Sequence, residues 1–193
     1  SSVYGNHVTG NVGYGYELSS LWRVRASYGT NFRAPSFNEL YYPGYGTPTV
    51  SPEKGRNAEV GVYYDNGKTD FSAVYYHNKV TNLIVLQTPC TNPVYGTSCT
   101  GNVDNALLKG VSLSAATKIG ETRIYGNLDW QDPRNLKQNT LLARRARHYG
   151  SFGATHSYEK FKSGFDVIFS GYRYDDDKNT KNKRLGGYTL LNL

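Results

Sequence analysis

"WRVRASYGTNFR", from Trp22 to Arg33, is the stretch that decides how this chain folds. Its even positions are Trp22, Val24, Ala26, Tyr28, Thr30 and Phe32. Its odd positions are Arg23, Arg25, Ser27, Gly29, Asn31 and Arg33. Strict alternation is the signature of a strand with one apolar and one polar face. The same period recurs at Val8 to Tyr16, Val111 to Ala115, Arg123 to Trp130 and Phe165 to Phe169, where Ile168 interrupts the polar face. Nine strands are expected, at about 7–17, 21–33, 56–65, 69–85, 103–118, 122–132, 144–157, 161–175 and 184–193.

Between these strands the connections alternate in length. Four are short turns, such as Asp65-Asn66-Gly67-Lys68, and four are long, at about 34–55, 86–102, 133–143 and 176–183. Short turns at one end and long loops at the other are the habit of an outer-membrane β-barrel. A soluble sandwich has shorter strands and no reason to sort its loops this way. Strands of ten or more residues cross a tilted bilayer passage, which takes about 9–11. Trp22, Tyr64 and Trp130 stand at strand ends, as in an interfacial aromatic girdle.

Composition agrees. The 193 residues include 18 tyrosines, 21 glycines and no methionine, with 14% aromatic and 19% charged residues. The mean hydropathy of −0.60 suggests a soluble protein if taken alone. It loses that meaning in a barrel, where only alternate residues face lipid. The expected fold is therefore all-β, an antiparallel transmembrane β-barrel. Its apolar side chains face lipid and its polar side chains face the lumen. That puts Arg23, Arg25, Arg33, Glu59, Arg123, Asp129, Arg145 and Arg147 on the lumen side, together with Asp166. They could meet a plug or an anionic substrate, or could simply form a solvated wall with cross-strand ion pairs.

Cys90 and Cys99 lie in "TPCTNPVYGTSCTGN", a polar loop. A close pair there favours a disulfide and an oxidising compartment. Zinc lacks a second pair or a nearby His to complete four ligands. "YDDDKNT" sets Asp175, Asp177 and Asn179 at EF-hand-like offsets, but Thr180 replaces the sixth-position glycine and Gly186 the twelfth-position glutamate. These three are weak metal candidates. No cofactor is expected, and loop calcium from other ligands stays open. His7, His77, His148 and His156 have neither HExxH spacing nor a G-x-S-x-G partner, so no enzyme is expected. The net charge of +7 is dispersed apart from Arg144-Arg145-Ala146-Arg147, which is no basis for a nucleic-acid partner. Arg144 would point outward near the rim, within reach of lipopolysaccharide phosphates.

Beyond Trp22–Arg33 the chain continues as "FRAPSFNELYYPGYGTPTVSPEK", Phe32 to Lys54. With Glu59 and Gly61 this stretch resembles the strand–loop–strand of the TonB-dependent outer-membrane receptor family. The matching pieces are Phe32-Arg-Ala-Pro35, Glu39-Leu-Tyr41, Pro48 to Glu53, and Glu59-x-Gly61. Thr47 stands where the family usually has Asn. "YYHNKVTNLI" (75–84), "NALLKGVSLSA" (105–115), "LLARRARHYGSFGA" (141–154) and "RLGGYTLLNL" (184–193) continue the resemblance in order. Within the family, "LLARRAR" and the compact loops resemble most the vitamin B12 (cobalamin) receptors. Siderophore and haem receptors share the strand motifs.

The resemblance implies the following. The chain is the later part of a barrel of about 22 strands. The plug domain, the early strands and the last strands are expected outside residues 1–193. Ala34–Glu53 is an extracellular loop, with Tyr41, Tyr42 and Tyr45 as candidates for substrate contact. The site of action is the outer membrane of a Gram-negative bacterium. The partners are TonB, acting through the plug, a cobalamin or siderophore ligand, and outer-membrane lipid and lipopolysaccharide. The function is active transport of cobalamin. A ferric siderophore or haem receptor is the first alternative and a barrel enzyme the more distant one.

Overall fold

The computed structural model of the chain describes residues 4–90 and 97–193. Nine strands run antiparallel in sequence order: β1 Asn11–Glu17, β2 Trp22–Arg33, β3 Glu53–Asp65, β4 Thr69–Gln87, β5 Cys99–Ile119, β6 Thr122–Asn135, β8 His148–Tyr158, β9 Phe161–Ser170 and β12 Tyr188–Asn192. β7 (Thr140–Leu141) pairs at the end of β6, and β10 (Arg173–Tyr174) pairs with β11 (Arg184–Leu185) as a separate small hairpin. Among these nine long strands each sheet neighbour is the next of them along the chain. The wall is thus an up-and-down meander, the topology that outer-membrane barrels use.

The register sorts the side chains. Trp22, Tyr64, Phe71 and Ala115 form one cross-strand row. Val24, Val62, Ala73, Leu113 and Leu128 form the next, and Ala26, Val60, Tyr75, Val111 and Trp130 the one after. All belong to one face, and most of their large apolar members are exposed. Rows lie two residues, or about 6.7 Å, apart. Three to four of them approach the roughly 25 Å apolar band of a membrane barrel once the aromatic ends are included. The Trp22 and Tyr64 rings meet at 4.9 Å at the short-turn end, as an interfacial girdle requires.

The opposite face is polar and is tied across strands. The Ser112 hydroxyl donates to Asp129, and the Tyr125 hydroxyl donates to Asp166 at 2.6 Å. Gly153 lies between the partners of that second bond. A Cβ there would stand 2.6 Å from Asp166 Oδ1 and 2.9 Å from the Tyr125 ring, so the missing side chain opens the path. Ile168 breaks the polar alternation for a reason that only the pairing reveals. It faces Leu190 on β12, and the two make an apolar pair on the polar face.

Several strand ends differ from the expectation. Residues 7–10 are not strand, and β8 starts at His148, so Arg145 and Arg147 precede it. Arg144 has φ +61°, turned toward the 171–187 connection, and that turn ends any extension of the strand. β9 stops at Ser170, and 184–193 divides between the small hairpin and β12. The largest difference is upward growth. β4 and β5 reach 19 and 21 residues, well beyond a bilayer crossing. Leu83, Val103, Ala106 and Leu142 are buried together there, with Val80, Val85 and Leu108 packed against them. Burial of that cluster supports the two strands as they project past the apolar band.

Candidate functional site: the crown of loops

The four short turns (18–21, 66–68, 120–121, 159–160) lie at one end of the sheet. The long connections (34–52, 88–98, 136–147, 171–187) gather at the other, with residues 91–96 outside the described residues. A local signal starts the first long connection. Ser36 caps helix α1 (Phe37–Tyr41), its hydroxyl accepting from Glu39 N while Glu39 accepts from Ser36 N. This is a capping box, S-x-x-E, visible as "SFNE" in the sequence. Sequence reasoning read the whole segment as loop and missed the helix.

Arg33 closes the base of this loop. Its guanidinium donates to both oxygens of Glu53 at 2.9 Å and to Glu39 at 3.1 Å. Glu53 in turn accepts from Ile84 N at 2.7 Å on β4. Burial works against the charge on Glu39. The hydrogen bonds from Ser36 and Arg33 outweigh it and hold the carboxyl below its ordinary range. Arg33 lies on the polar face, where the alternation placed it, but its partners make it a loop clamp.

The top of the loop is fixed to the β4–β5 extension. Thr100 N donates to the Tyr45 carbonyl at 2.9 Å. The Asn102 side chain accepts from Ser51 N at 2.8 Å and donates to the carbonyls of Ser51 and Asn82. Cys90 and Cys99 are disulfide-bonded at the end of that extension. The other two long connections are joined in the same way. Asn179 exchanges two hydrogen bonds with the Leu141 backbone, and Arg144 binds the Tyr174 carbonyl and Asp175. Asp176, 4% exposed, accepts from Thr180 N and Oγ1. Burial raises its pKa, and these bonds outweigh that and lower it.

The aromatic candidates divide. Tyr41 and Tyr42 are exposed (55% and 57%), and Phe37, exposed at 75%, packs against Tyr41 with ring centroids 5.2 Å apart and planes tilted by 52°. Tyr45 is half-buried and fixed through its backbone. Phe37 was missed, although its i,i+4 spacing to Tyr41 marks it once the helix is recognised. The exposed ridge Phe37–Tyr41–Tyr42 is stiff and amphipathic, the character that suits a ligand contact.

The other expected site residues are placed as follows. Arg23, Arg25, Glu59, Arg123 and Asp129 share the polar face by register. Arg23 and Arg25 both stack over the Tyr63 ring, at 5.7 and 5.3 Å, an arrangement that only cross-strand register could disclose. Arg145 is exposed in the loop before β8, and Arg147 approaches Asp132 at 3.8 Å. Neither is a strand residue of the wall. Asp175 accepts from Arg144 through one carboxylate oxygen, and Asn179 accepts from Leu141 N, so each commits a side-chain oxygen to loop architecture. No group of three or more metal-ligating side chains occurs among the described residues.

An up-and-down wall with an apolar outer band, a polar inner face and a braced crown defines one segment of a large outer-membrane-type barrel. The chain belongs to the TonB-dependent receptor family: the family described as "TonB dependent receptor-like, beta-barrel" matches residues 1–193. It is 34% identical over its whole length to the Vitamin B12 transporter BtuB of Vibrio vulnificus. It is 29% identical over 98% of its length to the transporter of that name from Photobacterium profundum. It spans about 30% of the length of these curated relatives. Among solved structures, the Copper transporter OprC superposes with a TM-score of 0.76 at 19% identity, covering 95% of this chain and 30% of that one. The ferric enterobactin receptor of Pseudomonas aeruginosa gives 0.76 at 14%, covering 98% and 32%. These structural likenesses establish the fold.

Proposed function

We propose that the chain is part of the barrel wall and crown of a longer outer-membrane receptor that imports cobalamin. The receptor's plug, early strands and last strands lie outside residues 1–193. The observation that carries the substrate is the 34% identity to a vitamin B12 transporter along the entire chain, loops included. In this reading the crown captures the ligand, with Phe37, Tyr41 and Tyr42 on its exposed surface. TonB then acts through the plug to release the ligand into the lumen. The chemistry is transport, not catalysis, and it needs no cofactor.

A clamped loop suits this task. Arg33, Glu39, Asn102 and the prolines fix the backbone before the ligand arrives, so less conformational entropy is lost on binding. A ferric siderophore receptor is the second reading, because the same barrel fold carries the ferric enterobactin receptor.

The test is calorimetry of the full-length protein in detergent with cyanocobalamin, and with a ferric siderophore as the comparison. Saturable cobalamin binding without siderophore binding is expected. Siderophore binding alone would overturn the substrate and keep the architecture.

A further inference from the structure

The polar face of the wall holds two opposite charges that stand close without meeting. Arg25 on β2 lies directly opposite Gly61 on β3, and Ser27 directly opposite Glu59. Arg25 and Glu59 are therefore diagonal neighbours, which start about 7–8 Å apart. Long side chains can close that gap, yet neither residue forms an ion pair among the described residues. Arg25 lies over the Tyr63 ring at 5.3 Å instead. Arg25, Ser27 and Glu59 are all exposed, level with Val24 and Ala26 of the apolar band.

Glycine shapes the space around the pair. An open groove of about 390 Å³ is bordered by Gly13, Gly15, Gly61, Arg25, Ser27 and Glu59. Gly61 is required by packing, because a Cβ there would stand 2.9 Å from Val74 Cγ2 and 3.0 Å from the Tyr63 ring. Gly15 and Gly13, the β1 partners of Arg25 and Ser27, are a different case. A Cβ at either would meet nothing closer than 3.7 Å, and neither has a positive φ. Glycine weakens a strand, and inside one it often marks a place where a ligand approaches closely. Beside Arg25 and Ser27 the wall thus omits two side chains that its own packing has room for.

A guanidinium only donates hydrogen bonds, and a carboxylate only accepts them. A simple anion would suit Arg25 and be repelled by Glu59, and a simple cation the reverse. A primary carboxamide suits both, because its carbonyl accepts and its NH2 donates. Hydrogen bonds to ionised partners are also the stronger kind. We propose that Arg25, Ser27 and Glu59 form a carboxamide-binding subsite on the lumen wall, which receives the imported ligand after it leaves the crown. The inference rests on the cobalamin reading, since cobalamin carries carboxamides around its ring. Arg25 donates to the amide oxygen, and Glu59 accepts from the amide nitrogen. The Ser27 hydroxyl bonds either atom, and the groove over Gly13 and Gly15 admits the amide arm.

The test uses the full-length protein. Capture of cyanocobalamin is measured by calorimetry in detergent, and TonB-dependent uptake is measured in cells. Arg25→Met and Glu59→Met are each expected to slow uptake at least fivefold, with capture affinity within twofold of wild type. Gly13→Leu with Gly15→Leu fills the groove without touching a charge and should do the same. Lys162→Gln, near the short-turn end of β9, is the charge control and should change neither readout by more than twofold. A second ligand tests the chemistry: cyanocobalamin with one carboxamide hydrolysed to the acid. Wild type is expected to take it up at least threefold more slowly than cyanocobalamin at equal capture, because the new carboxylate faces Glu59. Glu59→Gln keeps an acceptor for the amide and removes that repulsion, so it should bring the two rates within twofold.

Unchanged uptake in both Met variants would overturn the subsite. So would equal discrimination against the acid by wild type and Glu59→Gln. Slower uptake with faster proteolysis of the plug in the unliganded Met variants would assign the pair to holding the plug and overturn the ligand role. Absence of cyanocobalamin capture by the wild type would instead remove the cobalamin reading on which the subsite rests. The two failures are therefore distinguishable, one in capture by wild type and the other in uptake by variants that capture normally.

Discussion

The wall and the crown are built from one set of strands but held by different forces. In the wall, each residue of β2 to β9 meets its neighbours through a regular ladder, and side chains sort by parity into an apolar and a polar face. In the crown, regular pairing gives way to a few named side chains, chiefly Arg33, Asn102, Asn179 and Arg144, each bridging distant backbone. Redundancy is the lesson of the difference. Dozens of equivalent contacts define the wall, so it tolerates change on its polar face. Single contacts define the crown, so local changes there should loosen a loop without unfolding the barrel.

The sharpest way to break the comparison is charge on the wall. Leu113 lies in the apolar band and Ser114 on the opposite face. Leu113→Arg in the full-length protein should cost about 2–4 kcal/mol at mid-bilayer, and Ser114→Arg close to nothing. Equilibrium unfolding from lipid vesicles measures both. Equal costs would reverse or abolish the assignment of faces.

The disulfide should matter next. Replacing Cys90 and Cys99 together with serine removes the closure of a ten-residue ring and should cost the extension about 2–3 kcal/mol on the chain-entropy model. Hydrogen exchange at the upper ends of β4 and β5 should speed up while β5 below Val111 stays protected. If the lower wall also loosens, the separation between wall and crown is wrong.

Arg33→Ala leaves Glu39 and Glu53 without their cation. Arg33 is about half exposed, so screening reduces the loss to about 1–2 kcal/mol. The readout is faster exchange at 36–46 and weaker ligand capture, with the barrel melting temperature unchanged. A shifted barrel melting temperature would place Arg33 among the wall residues instead.

Acid gives the smallest effect. The Glu39 carboxyl titrates below its unfolded value, so its contribution is fully present above the unfolded pKa of about 4.3. It is lost as pH falls through the lowered folded value. Loop order at 36–46 should hold at neutral pH and decline only in strong acid, and Glu39→Gln should remove that dependence. A loop that loosens near neutral pH would point to another group.

Much of the wall was legible because strand periodicity is a local property. Nine strands, the sorting of turns by length and the shared face of Arg23, Arg25, Glu59, Arg123 and Asp129 all follow from counting alternate residues. The misreadings cluster where tertiary contacts override composition. Residues 86–87 and 99–102 read as loop because they sit among Thr, Asn, Pro and Gly, yet pairing of Gln87 with Cys99 carries the strands upward. Arg145 and Arg147 continued an alternating pattern, but the turn at Arg144 removed them from the strand.

By itself, then, the sequence determined the strand count, the two faces and the family resemblance, since each depends on residues close together along the chain. Only the tertiary structure decided the partners: Tyr63 between Arg23 and Arg25, Asn102 between Ser51 and Asn82, and Arg33 between Glu39 and Glu53. These contacts join positions up to 51 residues apart. Which distant residues meet depends on the register of intervening strands, and register is set by the summed packing of a whole face rather than by any one segment.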